Sequence, residues 1–99
     1  MAQLVGIYYD DDWGFYLSPG EVDLTDEEDR VISWKNETGE TFRVTLPLRL
    51  GGRHAEIKPG EEEGLDVANP PGKGVFRYKC KSLSSGVLAQ GNSDPRIRT

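Results

Sequence analysis

Apolar and polar residues alternate along much of this chain, and the alternating runs are short. Residues 75–81 form the clearest run, in which aromatic residues and a cysteine alternate with Arg and Lys. Residues 41–50 form a longer one, with an apolar side chain at every second position from Phe42 onwards. A two-residue period is typical of β-strands with one buried face. The pattern predicts a strand at each place, and Pro47, which cannot donate to a ladder, predicts a bend or a sheet edge in the second.

Further strands are predicted between segments rich in Gly, Pro and acidic residues, which favour turns. These strands cover residues 3–9, 15–17, 22–24, 31–35, 55–58, 64–68, 87–90 and 96–98. About seven to nine short strands with turns every ~8–12 residues are typical of a β-sandwich. No long segment follows the 3.6-residue period of a helix. The sequence thus predicts an all-β fold.

At 99 residues the chain is expected to form a single domain, residues 1–99. Its one cysteine excludes an internal disulfide bond, and its apolar runs fall far short of the ~20 residues of a membrane span. Stability is therefore expected to come from side-chain packing. The residues predicted to form the core are Ile32, Trp34, Phe42, Val44, Leu46, Ile57, Leu65, Val67, Phe76, Tyr78, Cys80 and Val87.

The net charge of −5 conceals a segregation of charge along the chain. Residues 1–30 are rich in Asp and Glu, with Arg30 as the only base, whereas residues 73–99 are rich in Lys and Arg, with Asp94 as the only acid. One interpretation is that the two ends are neighbours in the fold and partly neutralise each other. The other is a dipolar surface that steers a charged partner. The acidic total argues against nucleic acid as the main partner.

Three segments together resemble the cupredoxins, the family of small blue copper proteins. They are GFYLSPGEVDLTDEEDRVISWKNETGE, IKPGEEEGLDV and PPGKGVFRYKCKSLSSGVLAQG. Their order and spacing are similar to those of the family's Trp-Lys-Asn strand and turn, its Pro-Gly-Glu turn, and its cysteine strand with the ligand loop. The resemblance covers roughly residues 3–98 and implies a cupredoxin-like Greek-key β-sandwich.

The same resemblance implies that the copper ligands are missing. Cupredoxins hold copper with two His, one Cys and a weak axial Met or a substitute for it. The resemblance places the cysteine at Cys80, the first His at Phe42, the second among residues 81–84, and the axial ligand near Leu88. Only the cysteine is present. No copper, no other cofactor and no catalytic residue is therefore expected.

Two kinds of metal site are alternatives to this interpretation. His54 is the only histidine, and with Cys80 it offers a weak candidate pair for an atypical copper site or a Cys–His nucleophile. Two ligands are too few for a stable metal site unless carboxylates join them. The acidic runs 10–12 and 26–29 could offer oxygen ligands to calcium, but neither has the spacing of an EF-hand.

Residues 8–16 combine aromatic and acidic side chains, and Tyr and Trp are enriched in binding surfaces. The outward positions of residues 75–81 form a basic stripe. The candidate partner-binding residues are Trp13, Tyr16, Arg77, Lys79 and Lys81. Asn36-Glu37-Thr38 matches the glycosylation sequon and is predicted to be a turn.

The sequence favours a non-catalytic, copper-free cupredoxin-like module that binds another protein, with no membrane or nucleic-acid partner. The alternatives are a small redox or copper protein that uses Cys80 in an atypical site, and a small enzyme or enzyme inhibitor. The N-terminus has neither the basic start nor the apolar stretch of a signal peptide, so a cytoplasmic location is expected. A mature domain of an exported protein is the alternative.

Overall fold

A computed structural model describes residues 3–24, 31–67, 74–89 and 95–99. In these ranges the chain forms ten β-strands and one short 3-10 helix, Leu48–Leu50. None of the described helices is long and apolar enough to cross a membrane. The strands are β1 Gln3–Asp10, β2 Gly14–Ser18, β3 Glu21–Asp23, β4 Val31–Asn36, β5 Phe42–Thr45, β6 His54–Ile57, β7 Glu62–Asp66, β8 Val75–Arg77, β9 Lys79–Ser82 and β10 Arg96–Arg98.

The strands form three small sheets with the orders β2-β1-β4-β7, β3-β10-β8 and β6-β5-β9. β1 pairs antiparallel with β2 and parallel with β4. β10 likewise pairs parallel with β3 and antiparallel with β8. Parallel neighbours cannot be joined by a tight hairpin, so the chain crosses between sheets. The predicted all-β fold is confirmed.

The inward side chains of all three sheets form one hydrophobic core. Most of the predicted core residues are buried, while Leu65 and Phe76 pack partly buried against them. The prediction for Val87 is wrong, because its side chain is 49 % exposed. The predicted strand at residues 87–90 is reduced to a single bridge between Lys81 and Leu88, and its last residue lies outside the described residues. Ala89 is the buried residue of this segment.

The predicted strand at residues 41–50 ends early. β5 stops at Thr45, and the chain turns through the 3-10 helix after Pro47. Pro47 has no N–H to donate, and its own carbonyl accepts the N–H groups of Leu50 and Gly52 at 2.9 and 3.0 Å. The turn rotates Leu48 outwards, so that it is 90 % exposed although the alternation predicts an inward position.

The run at residues 75–81 is two strands that belong to different sheets. β8 pairs with β10, whereas β9 pairs with β5. The break lies at Tyr78, whose N–H donates to the carbonyl of Pro95 at 3.1 Å in register with β10, while the next residue, Lys79, pairs with Thr45 of β5. The alternation of buried and exposed side chains continues through the break, which is why the sequence pattern did not reveal it.

The acidic N-terminal part and the basic C-terminal part of the chain meet where β3 lies beside β10. The carboxylate of Glu21 accepts a hydrogen bond from Arg98 Nε at 3.2 Å and lies 3.9 Å from Arg96 Nε. This contact agrees with the interpretation that the two ends partly neutralise each other. Because these side chains are partly exposed, the contact orders the surface more than it stabilises the fold.

Candidate functional site

Three loops meet at one end of the sandwich, which we call the loop end: residues 11–13, 37–41 and 83–86. β1 and β4 run parallel, so the turns that follow them lie at the same end, and Glu37 N–H donates to the Ile7 carbonyl at 2.9 Å. β5 begins and β9 ends there, since Phe42 faces Ser82 across the ladder. The sequence resemblance places the copper ligands of the family at this end.

Phe42, at the position where the resemblance expects the first histidine, is fully buried. Its ring packs edge-on against Phe15, with ring centroids 5.0 Å apart. Phe15 in turn lies 5.0 Å from the ring of Tyr9, which is exposed. A hydrocarbon side chain thus takes the place of an imidazole, and the three rings form a row from the core to the surface.

Cys80, at the position of the cysteine ligand, is buried on β9 opposite Val44. Burial raises the pKa of its thiol to about 12. The thiol therefore stays protonated at neutral pH, whereas both nucleophilic attack and metal binding need the thiolate. The side chain behaves as a small apolar core residue.

His54 and Cys80 point to opposite faces of the sheet β6-β5-β9. His54 lies opposite Thr45, whereas Cys80 lies opposite the preceding residue, Val44. Successive residues of a strand project to opposite faces, so His54 faces solvent while Cys80 faces the core. The structure therefore does not bring together the pair that the sequence offered as a metal or nucleophile site.

The positions expected for the remaining copper ligands hold no suitable donor. Leu83 and Leu88 are partly exposed hydrocarbons. Ser82 is buried, and its hydroxyl donates to the carboxylate of Glu40. Within the ranges that the structure describes, no group of three or more His, Cys, Asp or Glu side chains could hold a metal ion. A type 1 copper needs imidazole and thiolate ligands. The donors present do not fit this metal.

The buried side chain of Asn36 joins the 37–41 loop to the end of β6, whereas the sequence pointed to this residue only as part of a glycosylation sequon. Its amide nitrogen donates to the carbonyls of Glu40 and Ile57 at 2.6 and 2.8 Å. Its amide oxygen accepts from the N–H and the hydroxyl of Thr38 at 2.9 and 2.7 Å. Asn36 continues the inward alternation of Ile32 and Trp34, a signal that could have predicted its burial. Asn36 is the last residue of β4 and not part of the predicted turn. Because its side chain is buried, the sequon asparagine is inaccessible in the folded protein.

The chain was compared with known proteins. No family model matches it, and no curated protein matches it. Among solved structures, a novel purple cupredoxin from Nitrosopumilus maritimus matches over 97 % of both chains, with a TM-score of 0.58 and 12 % sequence identity. The chain has a cupredoxin-like fold. The predicted sandwich class is confirmed, and at this level of identity the likeness concerns the fold alone.

In this cupredoxin-like fold, Trp13 lies at the tip of the turn between β1 and β2, with 60 % of its surface exposed. The turn is ordered by the carboxylate of Asp10, which accepts the N–H groups of Asp12 and Trp13 at 2.8 and 3.2 Å. Tyr16 is half-buried, and its ring lies 5.6 Å from that of Tyr8. Of the two aromatic candidates, Trp13 offers the larger free contact surface.

The basic candidates Arg77, Lys79 and Lys81 lie exposed along β8 and β9, on different sheets from Trp13 and Tyr16. Lys81 lies opposite Arg43, whose guanidinium is 2.6 Å from Glu56 and lowers the pKa of that carboxyl. A cleft of about 240 Å³ opens beside these strands. The described residues that line it are Arg77, Tyr78, Lys79, Cys80, Leu88, Ala89 and Pro95. The five candidates thus form two separate surfaces of the cupredoxin-like domain.

The buried thiol of Cys80 makes stability depend on pH in the alkaline range. In the unfolded chain it ionises above its ordinary pKa of 9.0, whereas in the folded protein it keeps its proton to about 12. Above pH 9 the unfolded state therefore binds fewer protons than the folded state. Because of this difference, the free energy of unfolding falls as pH rises, by up to about 1.4 kcal/mol per pH unit.

Urea unfolding of the wild type and of Cys80→Ala, measured from about pH 8 to 11, checks this expectation. The wild type should lose stability more steeply than Cys80→Ala, because the variant has no thiol to ionise on unfolding. If the free energy of unfolding falls equally steeply with pH in both proteins, Cys80 is not a buried, protonated thiol in the folded protein.

Proposed function

We propose that this cupredoxin-like domain is a non-catalytic, copper-free module that binds a protein partner through its loop end. The observation that carries the proposal is the exposed Trp13 on an ordered turn at that end. A large aromatic side chain that is held rigidly and left in solvent is the usual anchor of a protein interface.

The neighbouring side chains support this role. Leu83 is also exposed at the loop end, and Tyr9 is exposed on β1 just before it, so apolar side chains from more than one element face solvent there. Exposed apolar surface with a polar rim is typical of interaction sites. The rim here is acidic, because Asp11 and Asp12 flank Trp13 and are exposed. Charge complementarity therefore favours a partner with a basic rim around an apolar pocket.

The copper-free part of the proposal rests on the donors at the same end. Phe42 is buried against Phe15, and Cys80 is buried and protonated. Binding through the exposed side chains of the loop end needs no metal at this place. The loop end then serves as a docking surface.

Affinity capture with Trp13→Ala tests the proposal, and Leu48→Ala is its matched control. Leu48 is 90 % exposed and follows the opposite end of β5, away from the loop end. A partner captured by the wild type should bind Leu48→Ala equally well and Trp13→Ala about 30-fold more weakly, as for the loss of an interface hot spot. The affinities of the captured partner for purified variants are measured by calorimetry.

The proposal fails if the partner binds Trp13→Ala and Leu48→Ala with the same affinity. A copper titration forms the second arm of the experiment. The wild type should take up no stoichiometric copper and develop no intense visible absorption band. Tight copper binding that is lost in Cys80→Ser would instead support the alternative of a copper protein.

A further inference from the structure

The cleft beside β8 and β9 originates in the break between these strands. At Tyr78 the chain passes from one sheet to another, and the Tyr78 N–H donates to the Pro95 carbonyl at 3.1 Å. On the other wall, the Ala89 N–H donates to the Cys80 carbonyl at 2.7 Å. Backbone hydrogen bonds thus fix Pro95 on one wall and Ala89 on the other. The volume of about 240 Å³ corresponds to roughly eight water molecules.

Among the residues that the structure describes, those that form the floor of the cleft are apolar and carry no charge. Tyr78, Cys80 and Ala89 are buried, as is Pro95. The hydroxyl of Tyr78 accepts a hydrogen bond from Trp34 Nε1 at 3.1 Å, and burial raises the pKa of this tyrosine. Both the phenol and the Cys80 thiol are therefore neutral at physiological pH. The floor suits a hydrocarbon or aromatic group.

The rim of the same cleft is cationic. Arg77 and Lys79 flank Tyr78 in sequence and lie exposed at the mouth of the cleft. Within the described part of the chain, Lys79 forms no ion pair. A cationic rim above a neutral apolar floor attracts a molecule that carries a negative charge at one end and a hydrocarbon body at the other.

We infer that this cleft binds a small organic acid with one carboxylate and a compact apolar body about the size of benzoate. The carboxylate lies against Lys79, and the apolar body covers Tyr78 and Ala89. The cleft has depth as well as charge, which favours a small molecule over the flat acidic surface of a protein. This site lies on different sheets from the Trp13 turn, so it is independent of the proposed protein interface.

Titration of the isotope-labelled domain with benzoate, followed by backbone amide NMR, tests the inference. Saturable shifts are expected at Tyr78, Cys80 and Ala89, with a Kd of about a millimolar or below, as is usual for a ligand of this size. Benzyl alcohol, which has the same body without the charge, and acetate, which has the charge without the body, should each bind at least tenfold more weakly.

The variant Lys79→Gln should weaken benzoate binding about tenfold, because a charge-assisted contact is lost while a polar, uncharged side chain remains. Lys81→Gln is the matched control: it removes the next outward lysine of β9, which does not line the cleft, and should leave the Kd unchanged. Both side chains are exposed, so neither change is expected to affect folding.

Three kinds of result would overturn the inference. One is a shift pattern that does not saturate or that is centred on Lys81 and Arg43. Another is equal loss of affinity in Lys79→Gln and Lys81→Gln, or equal binding of benzoate and inorganic phosphate, either of which indicates charge attraction alone. The third is tight binding of polyglutamate without any binding of benzoate, which indicates an acidic protein as the occupant.

Discussion

Replacement of Trp34 by alanine is expected to lower the free energy of unfolding by about 3–5 kcal/mol. The indole is fully buried at the centre of the core. Its Nε1 donates to the Tyr78 hydroxyl at 3.1 Å, and the two rings meet edge to face with centroids 5.6 Å apart. The substitution removes this hydrogen bond and leaves a large cavity. Small domains have a total stability of about 5–15 kcal/mol, so the variant is expected to be largely unfolded at moderate urea concentrations.

The chain supplies its own matched control, because Trp13→Ala is the same substitution at an exposed position. It should change the free energy of unfolding by less than about 0.5 kcal/mol. Tyr78→Phe separates the hydrogen bond from the packing, since it leaves Trp34 Nε1 without an acceptor at a cost of about 1–3 kcal/mol. Urea unfolding followed by far-UV circular dichroism measures all three. Equal midpoints for Trp34→Ala and Trp13→Ala would show that the strand register is wrong.

Replacement of Asn36 by alanine is expected to cost about 3 kcal/mol, although it removes only a small polar side chain. The buried carbonyl of Ile57 would lose this hydrogen-bond donor, and the partly buried carbonyl of Glu40 and N–H of Thr38 would each lose a hydrogen bond. A buried polar group without a hydrogen bond costs far more than the hydrogen bond contributes. The loop of residues 37–41 and β6 would lose the side chain that joins them.

Asn36→Asp is a stringent second variant, because it keeps the shape of the side chain. Its carboxylate would place an oxygen against the carbonyls of Glu40 and Ile57 in place of an N–H donor. It should therefore be at least as destabilising as Asn36→Ala at neutral pH. Glu37→Ala, at the exposed neighbouring residue, is the control and should have little effect. If Asn36→Ala unfolds at the same urea concentration as Glu37→Ala, the asparagine does not hold the loop end.

The variants Trp34→Ala and Asn36→Ala test the fold, whereas Trp13→Ala tests binding at the loop end. Trp34 and Asn36 are buried, whereas Trp13 is exposed to solvent. We expect Trp13→Ala to keep the fold and lose the partner. A cupredoxin-like fold does not by itself specify a copper protein, because function depends on the residues placed at the site.

The strand pattern could be predicted because it depends on local alternation. Residues 31–35 and 55–58 lie in strands with nearly the predicted bounds. The ends of the two longest runs could not be predicted. Whether residues 75–81 stay in one sheet depends on which strands lie beside them, and their neighbours β5 and β10 are distant in the chain. Leu48 points outwards because the chain turns after Pro47. The alternation of apolar and polar residues does not show which way the chain turns at a proline.

The sequence by itself determined which donors the chain contains. With one histidine and one cysteine, it lacks the ligand set of a type 1 copper whatever its fold. The tertiary structure alone decided that His54 and Cys80 face opposite ways, that Trp13 is exposed, and that a cleft opens at Tyr78. The physical reason is that burial and proximity arise from contacts between strands that are far apart in sequence, whereas residue chemistry is local.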